Sequence, residues 1–289
     1  YYVWIIGTIN GIFSLRIPVL DVHLPIGISF YTFQAISYVA DVMSGKVNPQ
    51  KKLINIGLYI SFFPQLIAGP IVRYTDIENQ ISSRRADYAN FSKGVIRFMV
   101  GFSKKILIAD NLAVIVNKAF ELLGEGDLGL SFSWLGAIAY TFQIFFDFSG
   151  YSDMAIGLGR MFGFVIPENF NMPYIAHSIR DFWHRWHMSL SIWFRDYVYI
   201  PLGGNRVSFK RGCLNIMMVW LLTGLWHGAN LTFVIWGIIY GILILFEKIS
   251  SIERYLNNGI VAVVYRLWTL LCIILFISCS IFNNLILPK

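Results

Sequence analysis

Apolar residues in this chain occur in long runs that are separated by short polar stretches. A run of about 20 mainly apolar residues can cross a bilayer as an α-helix, and the runs here approach that length repeatedly. The pattern predicts an all-α fold of membrane-crossing helices, in one domain over residues 1–289. With boundaries accurate to a few residues, the predicted spans are 1–15, 25–41, 53–70, 94–120, 131–149, 213–246 and 262–282.

Two of these spans are irregular. The third ends in FFPQLIAGP, where Pro64, Gly69 and Pro70 interrupt a helix. Such a break is tolerated in a membrane only where protein or a water-filled cavity covers the freed backbone groups. The fourth span carries too many charges for a lipid-exposed helix, so we expect it to lie along the interface or to pack inside the protein. These charged residues are Arg97, Lys104, Lys105 and Asp110.

Composition supports the membrane class. Apolar residues make up 56% of the chain and charged residues 13%, whereas about 25% are charged in an ordinary soluble domain. The net charge of +7 does not indicate nucleic-acid binding, because the basic residues form short clusters between apolar runs, where they suit lipid headgroups. Cys213, Cys272 and Cys279 are odd in number and lack paired spacing, which argues against a disulfide framework.

The stretch Asp181–Arg206, DFWHRWHMSLSIWFRDYVYIPLGGNR, is predicted to form an amphipathic helix. At about 100° per residue, its aromatic and leucine side chains fall within one arc of roughly 100°, which is typical of a buried face. His187 lies at the flank of that face and is expected to point inward, with His184 at the edge. Histidines that merely pack at a membrane interface would show the same pattern. The predicted buried face carries Trp183, Trp186, Leu190, Trp193, Phe194 and Tyr197, and the opposite face carries Arg185, Ser189 and Asp196.

A second polar feature lies within the uncharged run Cys213–Phe246, which is longer than one crossing needs. In its middle stands TGLWHGAN. On one helix, Thr223, Gly224, His227 and Asn230 share a face. An ionisable group within a span is costly and is a functional candidate by default. The alternative is a structural hydrogen bond between helices. A neutral, desolvated imidazole here would suit general-base chemistry.

A third stretch, Phe146–Asn171, reads FDFSGYSDMAIGLGRMFGFVIPENFN and sets two carboxylates among apolar residues. Asp147 and Asp153 need partners if they are buried, and Arg160 or Arg180 could supply the opposite charge. The carboxylates could form a structural ion pair, or they could orient a catalytic histidine.

Other catalytic templates do not match. The chain contains neither an HExxH sequence nor another three-ligand cluster, so no metal is expected. The G-x-S-x-G, GxGxxG and Walker A patterns are also absent.

In their order and spacing, these stretches resemble the membrane-bound O-acyltransferase (MBOAT) family, and within it the bacterial alginate O-acetylase branch. Two further segments agree, LPIGISFYTFQAISYVADV and FFPQLIAGPIVRY, so the resemblance covers roughly residues 20–280. It implies a ring of tilted transmembrane helices with interfacial helices and a central tunnel. It also implies that the chain is a fragment, lacking the family's N-terminal helices and part of its C-terminus.

The resemblance assigns roles to individual residues. The histidine of the WHG motif falls on His227, the expected catalytic base, and the family's other invariant polar position falls on His187, which would orient the donor or stabilise the oxyanion. The chain departs from the family pattern at His184 and Leu231, where another polar residue and an aromatic residue are usual. Supporting or tunnel-lining positions are Asn230, Thr223, Trp226, Trp186, Arg185, Asp181, Asp153 and Asp147.

The implied donor is an acyl thioester, acetyl-CoA or an acyl carrier, which enters from the cytoplasmic side as a substrate; no bound cofactor is implied. The implied acceptor is an alginate-like exopolysaccharide or peptidoglycan, reached through a periplasmic or extracellular acetyltransferase partner. The implied location is the bacterial inner membrane, as a multi-pass protein. Two alternatives remain open: D-alanyl transfer to teichoic acid within the same family, and a transporter whose polar strip lines a pore.

Overall fold

The computed structural model describes residues 2–18, 27–85, 87–126, 129–228, 230–256 and 259–286, and the side chains of all of these except Tyr2, Glu253 and 278–286. Within these ranges every regular element is a helix and none is a strand, so the predicted all-α class is confirmed. The side chain of Cys279 and the first two residues of the predicted span 25–41 lie outside the described part. Cys213 and Cys272 carry free thiols.

The helices follow one another along the chain with short connections. They are α1 (Tyr2–Phe13), α2 (Ile28–Met43), α3 (Leu53–Ile60), α4 (Phe63–Leu66), α5 (Tyr74–Ser83), α6 (Tyr88–Ser103), α7 (Asp110–Glu125), α8 (Leu130–Met161), α9 (Ile179–Arg185), α10 (Met188–Phe194), α11 (Phe209–His227), α12 (Leu231–Ser250) and α13 (Gly259–Ile286). Wider π-helical turns, Lys104–Ala109 and Arg195–Tyr199, follow α6 and α10, and short 3₁₀ turns span Pro173–Ile175 and Ile252–Tyr255.

Two described helices are long and apolar enough to cross a membrane, Leu231–Ser250 and Gly259–Ile277. The apolar helix Val3–Phe13 is shorter than a crossing requires. The other predicted spans fall on helices that do not combine sufficient length with sufficient apolarity. Crossing at the predicted 262–282 is therefore supported, and the full set of predicted crossings is not confirmed.

The uncharged run Cys213–Phe246 is not one helix, so the prediction of a single span there was wrong. α11 ends at His227, Gly228 is extended, and α12 begins at Leu231. The two helices then pack antiparallel through glycines: a Cβ on Gly237 would lie 3.1 Å from the Cα of Gly224. The WHG motif therefore lies at the turn of a helical hairpin and not in the middle of a span.

α8 packs antiparallel on α6, also through glycines. A Cβ on Gly94 would lie 2.6 Å from the carbonyl oxygen of Gly157, and a Cβ on Gly150 would lie 2.7 Å from that of Gly101. Backbones approach this closely only where side chains are absent or small. This contact sets which charged groups of the two helices meet.

The carboxylates of α8 form ion pairs with basic residues of α6 and of the π-turn that follows it. Asp153 is paired with Arg97 and with Lys104, each at 2.6 Å, and Asp147 is paired with Lys105 at 2.7 Å. The predicted partners Arg160 and Arg180 were wrong, because glycine packing brings α6 and its π-turn, and not those arginines, against the carboxylates. Asp153 is buried as expected, but Asp147 is about half exposed. The basic residues of the fourth predicted span therefore pair with carboxylates of α8. This agrees with the expectation that the span packs against protein.

The predicted break in FFPQLIAGP is confirmed. α3 ends at Ile60, α4 spans only Phe63–Leu66, and an extended segment leads to α5. The freed backbone is covered by protein: the N–H of Ile71 donates to the Ser189 hydroxyl at 2.8 Å. The broken third span is thereby attached to the stretch Asp181–Arg206, called the aromatic motif below.

A buried carboxylate attaches α12 to that motif as well. Glu247 is 2% exposed and accepts the backbone N–H groups of Ile179 (2.6 Å) and Arg180 (2.9 Å) at the start of α9. It also accepts the Tyr265 hydroxyl of α13 at 2.9 Å. One side chain therefore joins α9, α12 and α13, and satisfies N–H groups that a helix start leaves free.

Candidate active site

The helix predicted over the aromatic motif is broken at His187. α9 ends at Arg185, Trp186 is extended, and His187 is left-handed (φ 46°, ψ 54°) before α10 begins. The left-handed conformation costs a residue other than glycine on the order of 1–2 kcal/mol. It persists only where the surrounding structure imposes it. The prediction of one continuous helix was wrong, but its buried face is confirmed except at Tyr197, which is half-buried. Trp183, Trp186, Leu190, Trp193 and Phe194 are buried.

The break is held by the segment that follows α8. The N–H of Asn171 donates to the carbonyl of Arg185, and the N–H of Met188 donates to the carbonyl of Asn169, both at 2.9 Å. These bonds satisfy backbone groups that an interrupted helix would leave unpaired. His187 is thus held in place from outside its own helices.

The His187 ring is buried, with 2% of its surface exposed. Its Nδ1 lies 3.0 Å from Asn169 Oδ1 and 3.5 Å from the Ser189 hydroxyl, which itself donates to Asn169 Oδ1 at 2.8 Å. Nε2 is buried and has no hydrogen-bond partner among the described residues. The inward orientation predicted for His187 is confirmed, and so is the exposed edge position of His184. Ser189, predicted on the exposed face, is buried because the break reorients α10.

His227 has a different environment. It is the last residue of α11 and is exposed at the hairpin turn, so the expected site in the middle of a span was wrong. Its ring contacts Trp226 and Trp236, with centroids 4.8 and 4.9 Å apart, and stacks on Phe233 at 6.3 Å. Asn230 does not share its helix face, because Asn230 caps α12, where its Oδ1 accepts the N–H of Thr232.

Trp226 lies between the two histidines. Its ring centroid is 6.0 Å from that of His187 and 4.8 Å from that of His227. His187 also forms a T-shaped contact with Phe148, with ring centroids 4.8 Å apart. The fold therefore brings the two histidines to the same aromatic side chain, although they belong to different motifs.

A cavity of about 700 Å³ reaches His187. Its buried wall includes Trp183, Leu190 and Thr223, and its more exposed wall carries basic and polar groups. Those groups are Arg180, His184, Arg195, Tyr199, Asn205 and Lys248. A second cavity, of about 530 Å³, is lined by Arg97, Lys104, Asp153, Glu168 and Asn169 among others. Met188 lines both cavities, so the α9–α10 break lies between them.

The other predicted site residues divide into two groups. Thr223 lines the larger cavity, and Trp186 packs among aromatic rings, with its ring centroid 5.1 Å from that of Phe170. Asp181 and Arg185 pair with each other at 2.7 Å and contact neither histidine. Burial raises the pKa of Asp181, but hydrogen bonds from the His177 N–H and from Arg185 outweigh it and leave the pKa below its usual range.

Asp153 and Asp147 are engaged with cations of α6 and its π-turn and contact neither histidine, which supports the structural ion-pair interpretation. No group of three metal-binding side chains occurs among the described residues.

Three residues of the site were missed from the sequence. Asn169 and Ser189 hold His187, and Glu247 holds α9. Nothing in the sequence PENFN indicated that Asn169, which follows the charged Glu168, would be buried. Nothing in the local pattern indicated that Glu247, placed just after the long apolar run, would be buried.

Comparison with known proteins agrees with the motifs. Residues 50–282 match the membrane-bound O-acyltransferase family. The chain is 50% identical over 239 residues to a Pseudomonas aeruginosa protein named "Probable alginate O-acetylase", covering 81% of the chain and 45% of that protein. It is 39% identical over 271 residues to a Helicobacter pylori peptidoglycan O-acetyltransferase, covering 84% of the chain and 51% of the relative.

A more distant relative is the teichoic acid D-alanyltransferase of Bacillus subtilis, with 32% identity over 252 residues, 81% of the chain and 62% of the relative. The chain thus spans about half the length of the O-acetylating relatives described above. With the match extending over most of its residues and both histidine motifs at the site, the chain belongs to the membrane-bound O-acyltransferase family.

Proposed function

We propose that this chain forms the catalytic region of a membrane O-acyltransferase that moves an acetyl group from a thioester toward a hydroxyl of an extracytoplasmic polysaccharide. The observation that carries the proposal is the pair of histidines, one from each family motif, whose rings both contact Trp226. Acetyl transfer is favoured over D-alanyl transfer by identities of 50% and 39% to the O-acetylating relatives, against 32% to the D-alanyltransferase.

In the proposed reaction His227 is the general base. It takes the proton of the attacking hydroxyl as that oxygen bonds to the thioester carbonyl carbon. The C–S bond then breaks, and the departing sulfur takes the proton back from His227. The products are an O-acetyl ester and a free thiol, so the step needs neither an oxidant nor a reductant. His187 binds a substrate group beside the reacting atoms.

The larger cavity suits the thioester donor. Its buried apolar wall can hold the acyl arm next to His187, since ligand sites combine apolar walls with a few polar groups. Its more exposed basic residues, Arg195 and Lys248 among them, complement the phosphates of acetyl-CoA or of an acyl carrier's phosphopantetheine. The donor is a substrate in this proposal, and the chemistry uses no metal or bound cofactor.

The proposed setting is the bacterial inner membrane, with a multi-pass ring of tilted helices around a central tunnel. The two apolar helices and the many exposed apolar side chains support a lipid environment. The donor would enter from the cytoplasmic side. The acetyl group would reach the polymer through a periplasmic or extracellular acetyltransferase partner.

The test is ester-linked acetate on envelope and secreted polysaccharide, in a deletion strain complemented with full-length protein. Wild type is expected to restore acetate, while His227→Ala and His187→Ala are expected to fail at equal protein levels. His177→Ala is the matched control, because the exposed ring of His177 contacts Arg266 and neither of the two site histidines.

Full acetate in both site variants would refute the proposed chemistry. Recovery of D-alanyl ester in place of acetate would reassign the acyl group, and transport of a solute without any ester would support a pore. The fraction that carries the acetate, exopolysaccharide or peptidoglycan, identifies the polymer.

A further inference from the structure

Asn169 is a buried residue outside the two histidine motifs that hydrogen bonds to the His187 ring. It is 1% exposed and lies between α8 and α9. Its Oδ1 faces three donors, His187 Nδ1 (3.0 Å), Ser189 Oγ (2.8 Å) and the Ser189 N–H (3.3 Å), while its Nδ2 donates to Ser152 Oγ at 3.1 Å. No other described residue hydrogen bonds to the His187 ring except Ser189 at 3.5 Å.

The orientation of the Asn169 amide follows from its neighbours. A backbone N–H can only donate, so the amide atom that faces the Ser189 N–H must be the oxygen. The same oxygen faces Nδ1 of His187. Because a carbonyl oxygen can only accept, Nδ1 must carry a proton.

The second ring nitrogen is then constrained as well. With the proton on Nδ1, a neutral imidazole has a lone pair on Nε2. A further proton on Nε2 would create a buried charge, and Nε2 has no partner among the described residues to compensate for it. Nε2 is therefore an acceptor. His187 lines the larger cavity, while Asn169 lines the smaller one.

We propose that Asn169 is a positioning residue that holds His187 with its proton on Nδ1, so that Nε2 accepts a hydrogen bond from an N–H or O–H group of a bound substrate. This inference rests on the proposed function for its substrate. It decides between two roles for His187, because oxyanion stabilisation needs a donor at Nε2. The geometry excludes that role for the neutral ring and favours substrate orientation.

The tautomer can be read directly by ¹⁵N NMR of full-length protein labelled with ¹⁵N-histidine in lipid bilayers. Subtracting the spectrum of His187→Gln isolates the His187 signals. The expected result is a protonated Nδ1 and an unprotonated Nε2 in wild type, and loss of that preference in Asn169→Leu. A protonated Nε2 in wild type would overturn the proposal, whether or not the protein transfers acetate.

Three substitutions separate positioning from simple structural support. Asn169→Leu is nearly isosteric but has no acceptor, and it is expected to lower ester-linked acetate by about 10–100-fold, as loss of an orienting partner typically does. Asn169→Asp keeps an acceptor for Nδ1 and should restore most of the acetate, since the Ser152 hydroxyl can turn to donate to it. Ser152→Ala is the matched control, because it breaks the other side-chain bond of Asn169 at an equally buried position.

If Ser152→Ala lost as much acetate as Asn169→Leu, or if Asn169→Asp rescued nothing, Asn169 would only support the fold. Adding coenzyme A or an alginate oligosaccharide to the labelled protein identifies the substrate group. A shift of the Nε2 signal with coenzyme A points to an N–H or O–H group of the donor, and a shift with the oligosaccharide points to a hydroxyl of the acceptor. No shift with either would refute substrate contact by Nε2.

Discussion

His187 and His227 lie beside the same tryptophan but are held in opposite ways. His187 is buried, left-handed in its backbone, and hydrogen bonded to a loop that follows α8. His227 is exposed at a hairpin turn, and ring contacts hold it, with no hydrogen bond from its side chain to another described residue. Hydrogen bonds from other segments fix the orientation of the His187 imidazole, whereas aromatic rings alone surround the imidazole of His227 among the described residues.

The difference fits the two tasks proposed for these histidines. A residue that orients a substrate must itself be immobile, and an over-determined backbone with buried hydrogen bonds provides that. A base that first accepts a proton and then returns it to a leaving sulfur benefits from some freedom to move between two atoms. In the proposed reaction, the hydrogen-bonded His187 would orient the substrate, and His227, which only ring contacts hold, would transfer the proton.

The largest expected effect separates the two histidines by chemical rescue. His227→Ala should lower the acetyl-transfer rate by about 10²–10⁴-fold, the usual contribution of a general base. Free imidazole should restore part of it, because position 227 is exposed and no neighbouring hydrogen bond dictates ring orientation. The measurement is the transfer rate in membranes from cells expressing full-length protein, with and without imidazole.

His187→Ala provides the contrast in the same assay. Imidazole should not rescue it, since alanine in a left-handed conformation is strained and Asn169 would lose the ring that it orients. Equal rescue of both variants would mean that His187 is as adaptable as His227.

A smaller effect is expected on stability. Ser189→Ala removes the acceptor of the buried Ile71 N–H and one donor to Asn169, and should cost about 2 kcal/mol of unfolding free energy. Asn230→Ala removes only the cap of α12 next to His227 and should cost about 1 kcal/mol. Thermal unfolding of the solubilised full-length protein compares the two. A larger loss in Asn230→Ala would show that the turn, and not the break, is the more tightly held site.

The smallest effect concerns donor binding. Lys248 lines the cavity that reaches His187 and is partly exposed, so Lys248→Ala should weaken donor binding by up to about 1 kcal/mol, as a rise in KM for the thioester at unchanged kcat. Lys118→Ala is the control, because Lys118 pairs with Glu121 on α7 and does not line that cavity. A change in kcat alone would place the donor elsewhere.

Several features could be predicted from the sequence because they depend on local pattern. Long apolar runs predict helices whatever their partners, and Pro64 with Gly69 and Pro70 predicts a break wherever it packs. The positions of His187 and His184 relative to the predicted buried face indicated that the first is buried and the second exposed. The helix break does not change this, because both residues lie within about one turn of it.

The features that define the site depended on residues far apart in the chain. Periodicity does not reveal that a helix ends at Arg185 and another begins at Met188, because the bonds that hold this break come from Asn169 and Asn171. An unbroken apolar run also does not reveal a hairpin at Gly228, since both of its helices are apolar.

The sequence by itself determined the helical class, the aromatic core and which histidines belong to the family motifs, because hydrophobic periodicity and motifs depend on residues close together in the chain. Only the tertiary structure decided the partner of each polar group. Asp153 meets Arg97 because glycines let α6 and α8 approach, and His187 meets Asn169 because a loop crosses its helix break. Such pairs form where packing makes water unavailable, and packing is a property of the whole chain.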